Sequence, residues 1–196
     1  MVRGPGTAIS GRAKLGEGRR RHVISLSGKR VALLLENIYE DQEFWYPFYR
    51  LKAAGAQVVV VAPKADTVYT SKHGLEAKSN MAAADVKGSD FDAVVIPGGY
   101  SPDHMRRVPA MVNLVRDAND AGKLIATICH AAWMLCSADI LKGRTVTCFF
   151  SIKDDVKHAG AEYVDQEVVI DGNLITSRSP ADLPAYCEAI VAALEK

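Results

Sequence analysis

Cys129 and His130 stand side by side where an apolar run, Leu124 to Ile128, gives way to a helical one, His130 to Leu135. A thiol at such a strand-to-helix turn has the layout of a nucleophile elbow. The positive helix end and the neighbouring imidazole both favour the thiolate over the few per cent found in a free cysteine at neutral pH. The same position suits a small apolar residue filling space beneath a helix, the usual fate of a free cysteine. His130 could be a general base, an imidazolium partner or only a polar cap. Gly98-Gly99 ends a second apolar run, Ala93 to Ile96. A diglycine there lets backbone N–H groups turn into a cleft and suits an oxyanion site, although a tight turn alone would also explain it. Two acids complete the set. Glu43 falls in the first turn of the first helical segment and Asp103 follows Pro102 at another helix start, places where the helix dipole already accounts for a carboxylate.

Other chemistries find less support. Cys136, Cys148 and Cys187 read as buried apolar fillers, and no Cys-x-x-Cys spacing occurs. On one helix Cys129 and Cys136 would be separated by about 10 Å, beyond the roughly 7 Å a disulfide spans, so they do not bridge. The histidines at 22, 73, 104, 130 and 158 form no His-x-x-x-His or His-x-Glu pattern, so no metal is expected. No Gly-x-Gly-x-x-Gly or Walker sequence occurs, and no cofactor is expected. Trp45, Tyr46, Phe48 and Tyr49 suit a core or subunit interface better than a base-stacking platform.

The elements that must position these residues follow from periodicity. Strands are expected over 29–35, 57–62, 93–96, 124–128 and 145–148, with helices over 43–54, 102–121, about 130–138 and 152–159. The stretch 67–85 is weakly patterned, with Lys72-His73-Gly74 as a turn between short antiparallel strands, and Asp171-Gly172-Asn173 turns a hairpin over 168–176. Ser179-Pro180-Ala181-Asp182 reads as a capped opening of the last helix. Alternating buried strands and helices predict an α/β three-layer sandwich on a mostly parallel sheet. In open sheets of this kind ligands collect beyond the carboxyl ends of the strands, and Glu43, Gly98-Gly99 and Cys129-His130 all lie there.

The chain has 196 residues, 48% hydrophobic and 24% charged, enough for one core without disulfide or metal staples. No apolar run approaches the roughly 18 residues of a membrane span, so no membrane partner is expected. Met1–His22 carries Arg3, Arg12, Lys14, Arg19, Arg20 and Arg21 against Glu17, a charge of +5, and five of the 15 glycines. The rest then carries −4 of the overall +1, which argues against a nucleic-acid partner for the folded body. Residues 1–28 are expected to be a basic tail and 29–196 a single domain. Arg19–Arg21 stand where a secretory signal needs its apolar stretch, and cysteines without a disulfide pattern suit a cytoplasmic location.

Five ordered segments carry a family resemblance: Glu40–Pro47 (Glu-Asp-Gln-Glu-Phe-Trp-Tyr-Pro), Val95–Asp103 (Val-Ile-Pro-Gly-Gly-Tyr-Ser-Pro-Asp), Thr127–Ala132 (Thr-Ile-Cys-His-Ala-Ala), Ser151–Asp165, and Thr176–Ala185. Together they resemble a PfpI-type member of the ThiJ/PfpI superfamily, over about 29–196. The resemblance implies a flavodoxin-like sandwich related to class I glutamine amidotransferases, assembled as a homodimer or homohexamer. It implies Cys129 as nucleophile, His130 as its base, Glu43 as the acid bonded to the thiol, and Asp103 orienting His130 across a subunit contact. Gly98 and Gly99 would shape the oxyanion hole, with the Gly99 and His130 amides as its donors. Ala131 replaces the usual glycine after Cys-His, and Phe149 stands where the deglycase branch has a histidine, so no in-chain histidine partner is expected there.

The expected activity is a cysteine-dependent hydrolase acting on peptide bonds or on glyoxal-modified amines or thiols, small carbonyl compounds included, in a stress-protective role. The alternative is a redox-sensing or chaperone-like stress protein in which Cys129 is oxidised and no robust turnover occurs. A glutaminase half-site is disfavoured, because no His-x-Glu pair follows Cys129.

Overall fold

The computed structural model describes residues 25–195. The basic residues of the expected tail lie outside the described residues. Leu26, assigned to that tail, is instead fully buried, and its amide donates to the Ala54 carbonyl at 2.7 Å. An apolar side chain four residues ahead of the first strand thus belongs to the core.

In chain order the elements are β1 (Arg30–Leu34), α1 (Asp41–Ala53), β2 (Gln57–Ala62), β3 (Val68–Thr70), β4 (Glu76–Lys78), β5 (Met81–Ala82), β6 (Ala93–Ile96), α2 (Ser101–Met105), α3 (Pro109–Asp120) and β7 (Leu124–Ile128). There follow α4 (Ala132–Ala138), β8 (Thr145–Val146), α5 (Lys153–His158), β9 (Glu162–Tyr163), β10 (Val168–Asp171), β11 (Leu174–Ser177) and α6 (Leu183–Leu194), with short 3-10 turns between. The main sheet runs β10-β11-β7-β6-β1-β2-β5, parallel except for the β10–β11 hairpin. Its central strands are unbroken apolar runs because both faces are covered. Ala32 and Leu34 of β1 point into a core shared with α3 and α4, while Val31 and Leu33 point into one shared with α1 and α6. This is the three-layer sandwich the sequence implies.

Three local expectations change. The helix expected over 102–121 is two, α2 and α3, because Val108 is extended (φ −107°, ψ 105°) ahead of Pro109, whose ring disfavours a helical neighbour. The first helix begins at Asp41, two residues before Glu43. The last begins at Leu183 after a 3-10 turn over Pro180–Asp182. Ser179 makes no side-chain cap, and the Asp182 carboxylate takes both its hydrogen bonds from Arg178 at 2.9 and 3.0 Å. The β3–β4 hairpin and the turn at Gly172-Asn173 form as expected. None of the described helices is long and apolar enough to cross a membrane.

Strands β7, β6 and β1 are neighbours, and the chain moves outward from β1 toward β2 on one side and β6 on the other. Their carboxyl ends therefore border the crevice of a topological switch point. The segments leaving these strands carry Cys129, Gly98-Gly99 and Glu43.

Candidate active site

β7 ends at Ile128, and Cys129 turns the chain with a left-handed backbone (φ 62°) into a 3-10 turn that runs on into α4. For a residue with a Cβ this conformation costs on the order of 1 kcal/mol, and it persists because the surroundings fix both sides. One fastening is direct: the Phe149 amide donates to the Cys129 carbonyl at 3.2 Å. The thiol is 7% exposed and reaches the floor of a cavity of about 530 Å³ walled by Ile38, Lys72, Tyr100 and Phe149 among others. His130 Nδ1 lies 3.1 Å from Cys129 Sγ.

Glu43 on α1 is fully buried beneath the thiol. Its Oε2 accepts from the Gly98 amide at 2.8 Å, and its Oε1 has no partner of ordinary hydrogen-bond geometry, leaving that side of the carboxyl to the thiol. Burial pushes the Glu43 carboxyl up to about 8, only partly offset by Gly98 and Cys129. Burial also pushes the Cys129 thiol up, and the Glu43 charge adds to this, while the Gly99 and His130 amides pull the other way. The expected depression of the thiol by helix and histidine is thus outweighed by desolvation while Glu43 is ionised. Two anions cannot share so dry a site, so a Cys129 thiolate goes with a protonated Glu43. The His130 ring is held below its ordinary range by burial and by Lys72, which keeps it neutral at neutral pH. Cys136, Cys148 and Cys187 are pushed by burial to about 11, 12 and 12 and line no part of this cavity.

The diglycine is required sterically. A Cβ on Gly98 would lie 2.6 Å from Glu43 Oε2 and 2.7 Å from Cys129 Cβ, and one on Gly99 (φ 72°) would lie 2.5 Å from the Glu40 nitrogen. Main-chain bonds fasten this turn to the β1–α1 loop: Tyr39 bridges Gly99, Tyr100 N donates to Ile38 O at 2.9 Å, and Glu40 N to Gly98 O at 3.3 Å. Gly98→Ala is therefore expected to lower stability by about 2 kcal/mol or more, as overpacking does, and to lower Cys129 alkylation with it. Urea unfolding and iodoacetamide labelling measure the two effects.

Asp103 in α2 does not meet His130 within the chain; its carboxylate pairs with Arg107, one turn along. The outer His130 nitrogen, Nε2, faces Ser151 Oγ at 3.2 Å. Phe149 takes the place where a histidine partner was not expected, its ring 4.9 Å from that of His130. Sequence reasoning missed Lys72, which lines the cavity and pairs with Glu40 at 3.1 Å, and His73, whose Nδ1 lies 2.6 Å from Asp41 Oδ2. Only the turn signal of Gly74 marked them. Glu40, Asp41 and His73 bring three ligand atoms within 4.8 Å of one another. Lys72 already supplies the cation there, and Ser71 (2.5 Å) and His73 satisfy Asp41.

Residues 29–193 match the family described as DJ-1/PfpI. A protein of Pyrococcus horikoshii named deglycase PH1704 is 41% identical over 166 residues, covering 85% of this chain and 99% of that one. Protein/nucleic acid deglycase 2 of Escherichia coli is 39% identical, over 81% of this chain and 93% of that one. Among solved structures, a two-domain protein of Anabaena variabilis with DJ-1/ThiJ/PfpI-like and ferritin-like domains superposes with a TM-score of 0.83 at 44% identity. That match covers 85% of this chain, which spans about half (48%) of the longer protein.

Proposed function

Because the chain belongs to the DJ-1/PfpI family, we propose that it is a cysteine-dependent deglycase-type hydrolase that releases glyoxal-derived groups from amines or thiols. The observation that carries this is the convergence on one cavity floor of the Cys129 thiol, the His130 Nδ1 at 3.1 Å, the buried Glu43 and two backbone amides. Neutral His130 takes the thiol proton as Sγ bonds to the electrophilic carbon, and the carbonyl electron pair moves onto oxygen. The Gly99 and His130 amides, which already face the sulfur, are placed to bind that oxyanion. In a glyoxal adduct that electrophilic carbon is the aldehyde left when the carbinol carbon expels its amine or thiol. Transfer of the resulting thiohemiacetal's C–H hydrogen, as a proton, to the neighbouring carbonyl carbon gives a 2-hydroxy thioester, which water hydrolyses to a hydroxy acid and the free thiol. The cavity has room for such an adduct, and relatives named deglycases support that substrate class. A peptide carbonyl would be attacked in the same way, but its amine leaves from the attacked carbon itself with the proton from His130, giving a thioester that water hydrolyses.

The test incubates wild type with a methylglyoxal adduct of an N-acetylated amino acid and, separately, with labelled casein. Release of the free amine, blocked by iodoacetamide, is the expected result. Casein cleavage without adduct release would make it a peptidase. Turnover of neither, with Cys129 the first thiol converted to sulfinate by peroxide, would move the protein to the redox-sensing class.

A further inference from the structure

We propose that Ile38 is a specificity-determining residue, a stiff apolar wall that sets how broad a group the cavity admits beside the Cys129 thiol. Among the described residues, four other than glycine have a left-handed backbone: Ile38 (φ 62°), Asp66, Cys129 and Asp139. Aspartate tolerates that region because its short polar side chain can bond the local backbone. Cys129 carries the thiol. Ile38 alone of the four is branched at Cβ, and for such a side chain the conformation is an outlier. Outliers of this kind cluster at active sites and persist only where the surroundings impose them.

Here the surroundings are peptide groups. The Ile38 amide donates to Thr70 O at 2.8 Å, and its carbonyl accepts from Tyr100 N at 2.9 Å. The next carbonyl, that of Tyr39, accepts from Lys72 N at 2.9 Å. These bonds tie the β1–α1 loop to the β3–β4 turn on one side and to the diglycine turn on the other, and none involves a side chain. They would hold a glycine in the same conformation without strain. The core does not require the isoleucine side chain either, which belongs to neither buried cluster and is 40% exposed. What it supplies is one wall of the cavity whose floor is Cys129, joined through its peptides to the segments that bring Lys72 and Tyr100 to the same cavity. Branching at Cβ makes that wall stiff, whereas a lysine stem bends aside. Its clearance is therefore fixed. Adducts whose amine or thiol carrier is broad next to the modified atom are excluded, and slender carriers pass.

The assignment rests on the reading of Cys129 as the reactive thiol, and its principal test needs no turnover. Iodoacetamide and its N-phenyl analogue, iodoacetanilide, alkylate thiols by the same displacement of iodide and differ in breadth. Their rates at Cys129 are read by peptide mapping of the protein as it assembles in solution, each divided by its rate with N-acetylcysteine. Wild type should discriminate against the anilide. Ile38→Ala, which trims the branch, and Ile38→Gly, which also removes the strain, should each cut that discrimination about tenfold, within the range that missing methylenes are worth in an apolar pocket. Ile38→Gly should melt no lower than Ile38→Ala, since only alanine keeps a Cβ in the disfavoured region. On methylglyoxal adducts of N-acetylpenicillamine and N-acetylcysteine, which differ by two methyl groups beside the sulfur, the ratio of kcat/KM values should move toward the broader carrier in both variants. No discrimination in wild type, or an unchanged ratio in both variants, would overturn the proposal. So would a changed assembled mass in ultracentrifugation with the ratio unaltered, which would make Ile38 a subunit contact. A shifted alkylation ratio in a protein that turns over neither adduct would uphold the wall while defeating the hydrolase reading.

Discussion

Cys129→Ala is expected to remove adduct hydrolysis almost completely, by a factor on the order of 10⁴ or more, as when the nucleophile of a catalytic set is lost. The fold should survive, because alanine fits wherever a buried thiol of this size does and no disulfide is broken: all four cysteines are free. Cys148→Ala and Cys187→Ala change buried packing but line no part of the cavity, so their kcat should stay near wild type. Peptide mapping after brief iodoacetamide treatment provides the independent check, with Cys129 carrying the first label. Cys136 is the informative competitor, being the more exposed of the two. It has no base at 3.1 Å and only its own amide beside the sulfur, so faster labelling of Cys136 would show that exposure outweighs activation and would remove Cys129 from the nucleophile role.

The second large effect concerns Glu43 and appears in stability as well as in chemistry. Its folded value, about 8, lies above the ordinary 4.5. The native state therefore holds a proton that the unfolded chain has released between these two values. Stability contributed by the protonated carboxyl is complete below about pH 4.5 and declines through that window by about 1.4 kcal/mol per pH unit. Glu43→Gln cannot ionise, so its stability should be flat over the same range and exceed that of wild type by a few kcal/mol at pH 7.5. Urea unfolding of both proteins at pH 5 and pH 7.5 measures the difference directly. Glutamine can still accept from the Gly98 amide and donate to sulfur, so thiol reactivity should be largely retained. Glu43→Asp, one methylene shorter, should lose the contact and slow alkylation. Equal pH dependence of stability in wild type and Glu43→Gln would show that the carboxyl is ionised in the folded protein.

Much of this arrangement was legible because parallel strands announce their own ends. Gln57–Ala62, Ala93–Ile96 and Leu124–Ile128 form as read, each an apolar run bounded by glycine, proline or a polar residue. Where strands stop is where Gly98 and Cys129 begin, so their convergence followed from topology. The break at Val108 was written in Pro109 but hidden under a helical periodicity that continues on both sides. Ser179 looked like the cap of the last helix, yet it makes no side-chain cap, and Asp182 beside it is claimed by a guanidinium four residues earlier. Lys72 and Phe149 reach the cavity from a hairpin turn and from the irregular segment after β8, whose paths depend on tertiary contacts rather than on any period. The upward push on the thiol was equally illegible, since dryness is a property of everything packed around Cys129 and not of its neighbours in sequence.

The bonds that close the cavity walls, Tyr39 to Gly99, Tyr100 to Ile38 and Phe149 to Cys129, all run between peptide groups. Such stitching is indifferent to the side chains it carries. Lys72, Tyr100 and Phe149 can each be exchanged without releasing the loops that hold the thiol, whereas Gly98 and Gly99 cannot. The frame and the reading head are thus separable, so a lineage built on this scaffold can change what it accepts by substitution at the mouth while its reactive centre keeps the same coordinates. Diversification of substrate, on such a scaffold, is a matter of repainting the walls of a room whose beams stay where they are.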